Sequence, residues 1–155
     1  TLEEIDQAVV NLRDAGASEI TLLHCVSAYP TPIDECNLAV LETYRQRYGV
    51  RSGWSDHTVS PAVINRAVHK WGADVIEFHL DLDKQGPEYA SGHCWLPEQI
   101  APVIASCRHG SLIDGSPEKS FVSAESDDRD WRADPSDGLR PLKTKRVNFE
   151  NSESE

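Results

Sequence analysis

From Thr1 to about Arg108 the chain alternates between helical and strand periodicity, and this alternation is what most restricts its fold. The stretch Thr1 to Ala15 opens on Thr1-x-x-Glu4, a capping box in which the Thr hydroxyl and the Glu carboxylate satisfy free helix N–H groups. Ile5, Ala8, Val9 and Leu12 share one helical face, and Gly16 ends it. The run Glu19 to Val26 is short, apolar and β-branched, and reads as a buried strand. Asp34 is expected to cap a second helix through Tyr48, with Leu38, Leu41 and Tyr48 as its apolar stripe and Gly49 as its stop. Val50 to Trp54 reads as a second strand. Ser60 and Pro61 supply a cap and a first-turn proline for a third helix, whose Val63, Ile64, Ala67, Val68 and Trp71 face inward. Ala73 to His79 reads as a third strand, and Pro97 to His109 as a fourth helix with Pro102 removing a donor inside it.

Strands joined by helical crossovers of about a dozen residues imply a parallel sheet with helices outside. A complete (β/α)8 barrel needs roughly 250 residues, about 30 per unit, and only three such strands are read here. The fold class is therefore α/β, either a small complete domain or the last part of a TIM barrel. From Gly110 onward Ser, Asp, Glu, Pro and Gly dominate without a period, so residues 111–155 read as an acidic, extended or partly disordered tail behind a body of residues 1–110. Trp131, Leu139 and Leu142 are candidates to anchor it.

Among 155 residues there is no Met, and Thr1 already occupies a cap position, so the start of a longer chain is read as missing. A net charge of -11 argues against a nucleic-acid surface, which needs clustered Lys and Arg. No run approaches the roughly 18 apolar residues of a membrane span. Cys25, Cys36, Cys94 and Cys107 form no CxxC pair, which fits reduced thiols in a cytoplasmic protein.

Polar residues gather where each apolar run stops. His24, Ser27 and Tyr29 follow the first strand, Ser55, Asp56 and His57 the second, and Glu77, His79, Asp81 and Asp83 the third. In a parallel barrel these ends open onto one face, where active sites lie. Neutral imidazoles such as His57 and His79 on neighbouring strands can bind a divalent ion. Each histidine alone fits a hydrogen-bonded core residue equally well; recurrence at equivalent positions is what points to a metal. His69, His93 and His109 read as structural or solvated, and Asp127, Asp128 and Asp130 as a solvated acidic run.

The segments LLHCVSAYPTP (Leu22 to Pro32), SDHT (Ser55 to Thr58), VIEFHLDLD (Val75 to Asp83) and GPE (Gly86 to Glu88) resemble, in order and spacing, the sialic acid synthase family. The resemblance covers about Thr1 to His109 and includes the legionaminate and pseudaminate synthases. It implies a (β/α)8 barrel that condenses phosphoenolpyruvate with an N-acylhexosamine such as N-acetylmannosamine, giving a nonulosonic acid and phosphate. It also implies a divalent ion, manganese or else magnesium, held by the residues matching His57 and His79, and a homodimer when intact. By the same match Ser55 contacts phosphoenolpyruvate, Tyr29 lines the substrate site, Glu88 takes the place of an acidic sugar-binding residue, and Glu77 orients water or the ligand shell.

Three departures stand out. Ser27 replaces a usual Asn that meets the pyruvyl group, Glu88-Tyr89 replaces Asp-His, and the loop SGHCWL (Ser91 to Leu96) is unlike the common pattern. No antifreeze-like domain follows, and no position corresponds to the lysines and acidic residue of the family's first strands, so this chain alone is expected to make no product. The alternatives are a non-catalytic remnant that keeps the sugar and metal face, or another metal-dependent barrel aldolase.

Overall fold

The computed structural model describes residues 1–152. It divides into two compact units, Thr1–Asp114 and a second beginning at Gly115.

In the first unit the expected capping box forms: the Glu4 amide donates to the Thr1 hydroxyl, and the Glu4 carboxylate accepts from the Thr1 amine at 2.6 Å. Helix α1 (Leu2–Asp14) follows, then strand β1 (Thr21–Cys25). The second helix starts later than expected. Asp34 lies in a single 3-10 turn (Ile33–Glu35), Asn37 takes φ 45°, and only then does α2 (Val40–Tyr48) begin, without a side-chain cap. Chain direction changes at Asn37, so Asp34 sits one turn too early to reach the free amides of α2. Gly49 closes α2 with φ 62°, a left-handed position that favours glycine.

Strand β2 (Arg51–Asp56) runs two residues beyond its expected end. Helix α3 (Pro61–His69) begins on its proline, but the Ser60 side chain makes no capping bond; the Ser60 amide instead donates to the Thr58 hydroxyl. Strand β3 (Val75–Phe78) is followed by a short helix α4 (Pro87–Ala90) and by α5 (Pro97–Asp114). Helix α5 passes the expected end at His109 and absorbs Pro102; the proline removes one helical N–H, leaving the carbonyl of Glu98, an exposed residue, without its usual donor.

The sheet is parallel in the order β1-β2-β3. Its register stacks Leu23, Gly53 and Val75 in one row and Cys25, Ser55 and Glu77 in the next. Side chains alternate across the pleat, so these rows share a face. The opposite face carries Trp54, which packs with Cys36, Leu38, Val63 and Ala67 under α3. A second cluster joins Ile64 to Trp95, Ile100 and Val103, and a third joins Val9 to Tyr44 and Tyr48. Full burial of each large apolar side chain is worth about 1.5–3 kcal/mol, and these clusters hold the helices on the sheet.

Beyond β3 the chain returns once more to the sheet edge. Leu80 and Trp95 form an isolated parallel bridge, in which the Trp95 amide donates to the His79 carbonyl and the Asp81 amide to the Trp95 carbonyl, both at 2.8 Å. Residues 82–94 are thereby closed into a loop.

The second unit holds two 3-10 turns (Ser123–Glu125 and Arg129–Trp131) and α6 (Lys143–Ser152). It is less irregular than its composition suggests, because Asp134 gathers the Ser136 hydroxyl and the Ser136 and Lys143 amides. Those bonds hold the Asp134 carboxyl at about 2.

Gly53 leaves no room for a side chain between its neighbouring strands. A Cβ there would stand 2.3 Å from the Val75 carbonyl oxygen and 2.5 Å from Leu23 Cδ2. Gly53→Ala is expected to cost about 1–3 kcal/mol through forced strand displacement, read as a lower urea midpoint with an unchanged slope.

Candidate metal and substrate site

The turn after β2 is organised by one carboxylate. Asp56 is fully buried, and its Oδ1 accepts from the Trp54 indole N–H at 2.9 Å and the Thr58 hydroxyl at 2.7 Å. Its Oδ2 accepts from the Trp95 indole N–H at 2.8 Å and the Val59 amide at 3.3 Å. A buried carboxylate is tolerable when its lone pairs are met in this way. Val59 has φ 51°, a costly conformation for a β-branched residue; its amide bond to Asp56 holds it there.

His57, between Asp56 and Thr58, is 2% exposed. Its Nδ1 lies 3.1 Å from the Val26 carbonyl oxygen. A carbonyl only accepts, so Nδ1 carries the proton and Nε2 keeps its lone pair. Thr31 secures that carbonyl: its hydroxyl donates to the Val26 and Ala28 oxygens at 3.0 Å, and its amide donates to the His57 oxygen.

Four rings converge at this end of the sheet. Tyr29 lies 4.3 Å from His57 and 4.9 Å from His93 between ring centroids, and His79 lies 5.2 Å from His57 and 4.8 Å from His93. Imidazoles sharing an ion through one nitrogen each have centroids about 3 Å from it, and so stand roughly 4.5–6 Å apart. The Glu88 carboxylate is 3.5 Å from His79 Nδ1. Among the described residues His79, Glu88, His93 and Cys94 each bring a donor atom within 4.8 Å of the others.

Of the two readings that the sequence left for His93, structural or solvated, its burial excludes the second, and its ring lies beside those of Tyr29 and His79. The Ser91 hydroxyl donates to the Glu88 carbonyl at 2.7 Å, so its oxygen accepts the Nδ1 proton of His93, also at 2.7 Å. Burial, aided by His79, pushes the His93 imidazolium down, and burial pushes the Cys94 thiol up, so both are uncharged near neutrality. The sequence signal available for His93 was its place next to a positive-φ glycine, Gly92; the pairing with Asp56 through Trp95 was not visible.

The remaining residues expected at the site lie on the open face of the sheet or beside it. The Ser55 hydroxyl donates to Glu77 Oε2 at 2.5 Å, across neighbouring strand ends. Ser27 is exposed, with its hydroxyl 3.8 Å from Cys25 Sγ. His24 points the other way, with Nε2 3.0 Å from the Cys36 carbonyl and its ring against Trp54 and Tyr44. The four cysteines are free.

A model of the NeuB family matches residues 1–119. The chain belongs to the NeuB family. Among NeuB relatives, the N,N'-diacetyllegionaminic acid synthase of Campylobacter jejuni is 40% identical over 92 residues, covering 57% of this chain and 27% of its own. The N-acetylneuraminate-9-phosphate synthase of Mus musculus is 30% identical over 128 residues, 81% of this chain and 34% of its own. The sialic acid synthetase of Leptospira borgpetersenii, solved with citrate, superposes with a TM-score of 0.66 at 27% identity, over 83% of this chain and 44% of that one. The chain thus spans 34% or less of these two curated NeuB relatives. Among the described residues no helix is long and apolar enough to cross a membrane.

Two outcomes follow from these contacts. Asp56→Asn turns an amide group toward donors that need an acceptor, and is expected to cost at least about 2 kcal/mol in urea unfolding. For His24, burial lowers the pKa from 6.5, partly offset by the Cys36 carbonyl. The unfolded chain then takes up a proton before the folded chain, so stability is full above 6.5 and falls as pH drops from there toward the lowered folded value. The urea midpoint is expected to be lower at about pH 5 than at about pH 7.5, and His24→Phe to narrow that gap.

Proposed function

We propose that this chain forms part of a (β/α)8 barrel synthase that joins phosphoenolpyruvate to an N-acylhexosamine, giving a nonulosonic acid and phosphate. The observation that carries this reading is the convergence of Tyr29, His57, His79 and Glu88 at the C-terminal end of a parallel sheet. Active sites of such sheets open at that end. Among the described residues no strand pairs the outer edge of β1, which suits further strands beside it.

His57 and His79 are proposed to hold a divalent ion, manganese or magnesium. The donor set fits: the Val26 carbonyl holds His57 through Nδ1 and leaves Nε2 to face an ion, and His79 faces a carboxylate that can orient it. Such an ion supplies Lewis-acid polarisation of the sugar aldehyde. The chain's own residues do the positioning. Glu88, 70% exposed in its side chain, is free to accept sugar hydroxyls. The Tyr29 ring forms a wall against His57, on which the substrate rests. Ser55, whose hydroxyl donates to Glu77 here, would turn that proton to an oxygen of phosphoenolpyruvate when the substrate binds, and Ser27 lies close along the chain at the end of β1. Glu77 is the carboxylate available to hold a water or proton beside the reacting carbons. A cytoplasmic, homodimeric enzyme acting on soluble sugars is the setting this chemistry suits.

Manganese broadening of N-acetylmannosamine proton resonances tests the reading, because a paramagnetic ion relaxes only sugar bound beside it. The chain is expected to induce broadening beyond free manganese, and His57→Ala and His79→Ala each to weaken manganese binding at least about tenfold. Unchanged manganese affinity in both variants would remove the ligand assignment. Manganese binding without sugar broadening would favour a metal-binding remnant.

A further inference from the structure

His79 has more donors around it than the imidazole pair of the proposed reaction requires. The donor atoms of His79, Glu88, His93 and Cys94 lie within 4.8 Å of one another. Ligands of a tetrahedral ion stand about 3.3–3.8 Å apart, so the set closes on one ion with shifts of about 1 Å. Glu88, His93 and Cys94 come from one loop closed by the Leu80 and Trp95 bridge, which keeps them together whatever lies beyond the sheet.

The orientation of His93 is fixed from outside the cluster. Because the Ser91 hydroxyl proton is engaged by the Glu88 carbonyl, the Ser91 oxygen accepts from Nδ1, and the His93 Nε2 lone pair is left for a cation. Cys94 is 7% exposed, yet it belongs to none of the three apolar clusters, whereas the half-buried Cys107 packs into one. A buried cysteine ordinarily serves as a small apolar filler. Here its sulfur keeps company with two imidazoles and a carboxylate.

We infer that His79, Glu88, His93 and Cys94 form a mixed nitrogen, oxygen and sulfur site for a borderline-soft divalent ion of the zinc or cobalt(II) kind. On binding, the Cys94 sulfur–hydrogen bond breaks, the proton leaves to solvent, and the sulfur lone pair forms the metal bond. Sulfur and imidazole together favour such an ion over manganese or magnesium, which prefer oxygen. The inference rests on the reading of His79 as a metal ligand; in it Glu88 is a ligand in place of a sugar contact, His57 stays outside the ion's shell, and the favoured ion changes.

The test is cobalt(II) chloride titrated into the chelator-stripped 155-residue chain, followed by electronic absorption. Visible d–d bands are expected to saturate at one equivalent, accompanied by a near-ultraviolet thiolate-to-cobalt charge-transfer band, and zinc chloride should displace both. Cys94→Ser is expected to remove the charge-transfer band and weaken cobalt binding at least about tenfold, while Cys25→Ser keeps the band. His93→Gln should lower the d–d intensity, and matching far-ultraviolet circular dichroism for all variants reports that they fold. Saturating d–d bands with no charge-transfer band would overturn the thiolate site and leave the His57 and His79 reading standing. A charge-transfer band that survives in Cys94→Ser would also overturn it, and no cobalt binding at all would overturn both.

Discussion

The buried Asp56 carboxylate is the fixed point of the first unit. Each of its bonds settles a different part of the molecule: Trp54 the end of β2, Thr58 and Val59 the turn into α3, and Trp95 the return of the chain to the sheet edge. His57 follows Asp56 directly, and His93 and Cys94 precede Trp95 directly. One carboxylate therefore sets the positions of imidazoles that are 36 residues apart in the chain, counting from His57 to His93. The left-handed Val59 is the conformational cost of that arrangement, and the indole and hydroxyl donors offset it.

What could be read from the sequence was what is decided locally. The capping box at Thr1, the left-handed Gly49 and the alternation of periods that implies a parallel sheet all depend on neighbours within a turn or a strand. Asp34 failed as a cap because Asn37 turns the chain before α2 starts, and nothing near Asp34 announces that turn. The place of His79 just past the end of β3 was legible because strand ends recur at equivalent positions. His93 was not, because its burial depends on a hydrogen bond between Trp95 and Asp56 across 39 residues. In the tail, likewise, local order comes from Asp134 collecting amides and a hydroxyl at both short and longer range, and not from apolar periodicity.

The site divides its work between two kinds of support. His57 and the Ser55 and Glu77 pair stand at strand ends, where backbone pairing on both sides of β2 limits their movement. Glu88 stands in the short helix α4, and Ser91 and His93 follow it in a loop that the Ser91 hydroxyl ties to the Glu88 carbonyl and to His93. Glu88-Tyr89 and the segment Ser91 to Leu96, which set this chain apart from the common pattern of the sialic acid synthases, fall on the second kind.

The bridge between Leu80 and Trp95 gives that loop a further property. Its two ends are clamped by paired 2.8 Å backbone bonds, and its flank is tied by the Lys84 and Glu98 ion pair. Residues between the clamps can lengthen, shorten or exchange side chains without moving His79 or Trp95, since neither end needs the loop's content to stay in register. Change of side chains within the loop is thereby uncoupled from the folding of the sheet beneath it.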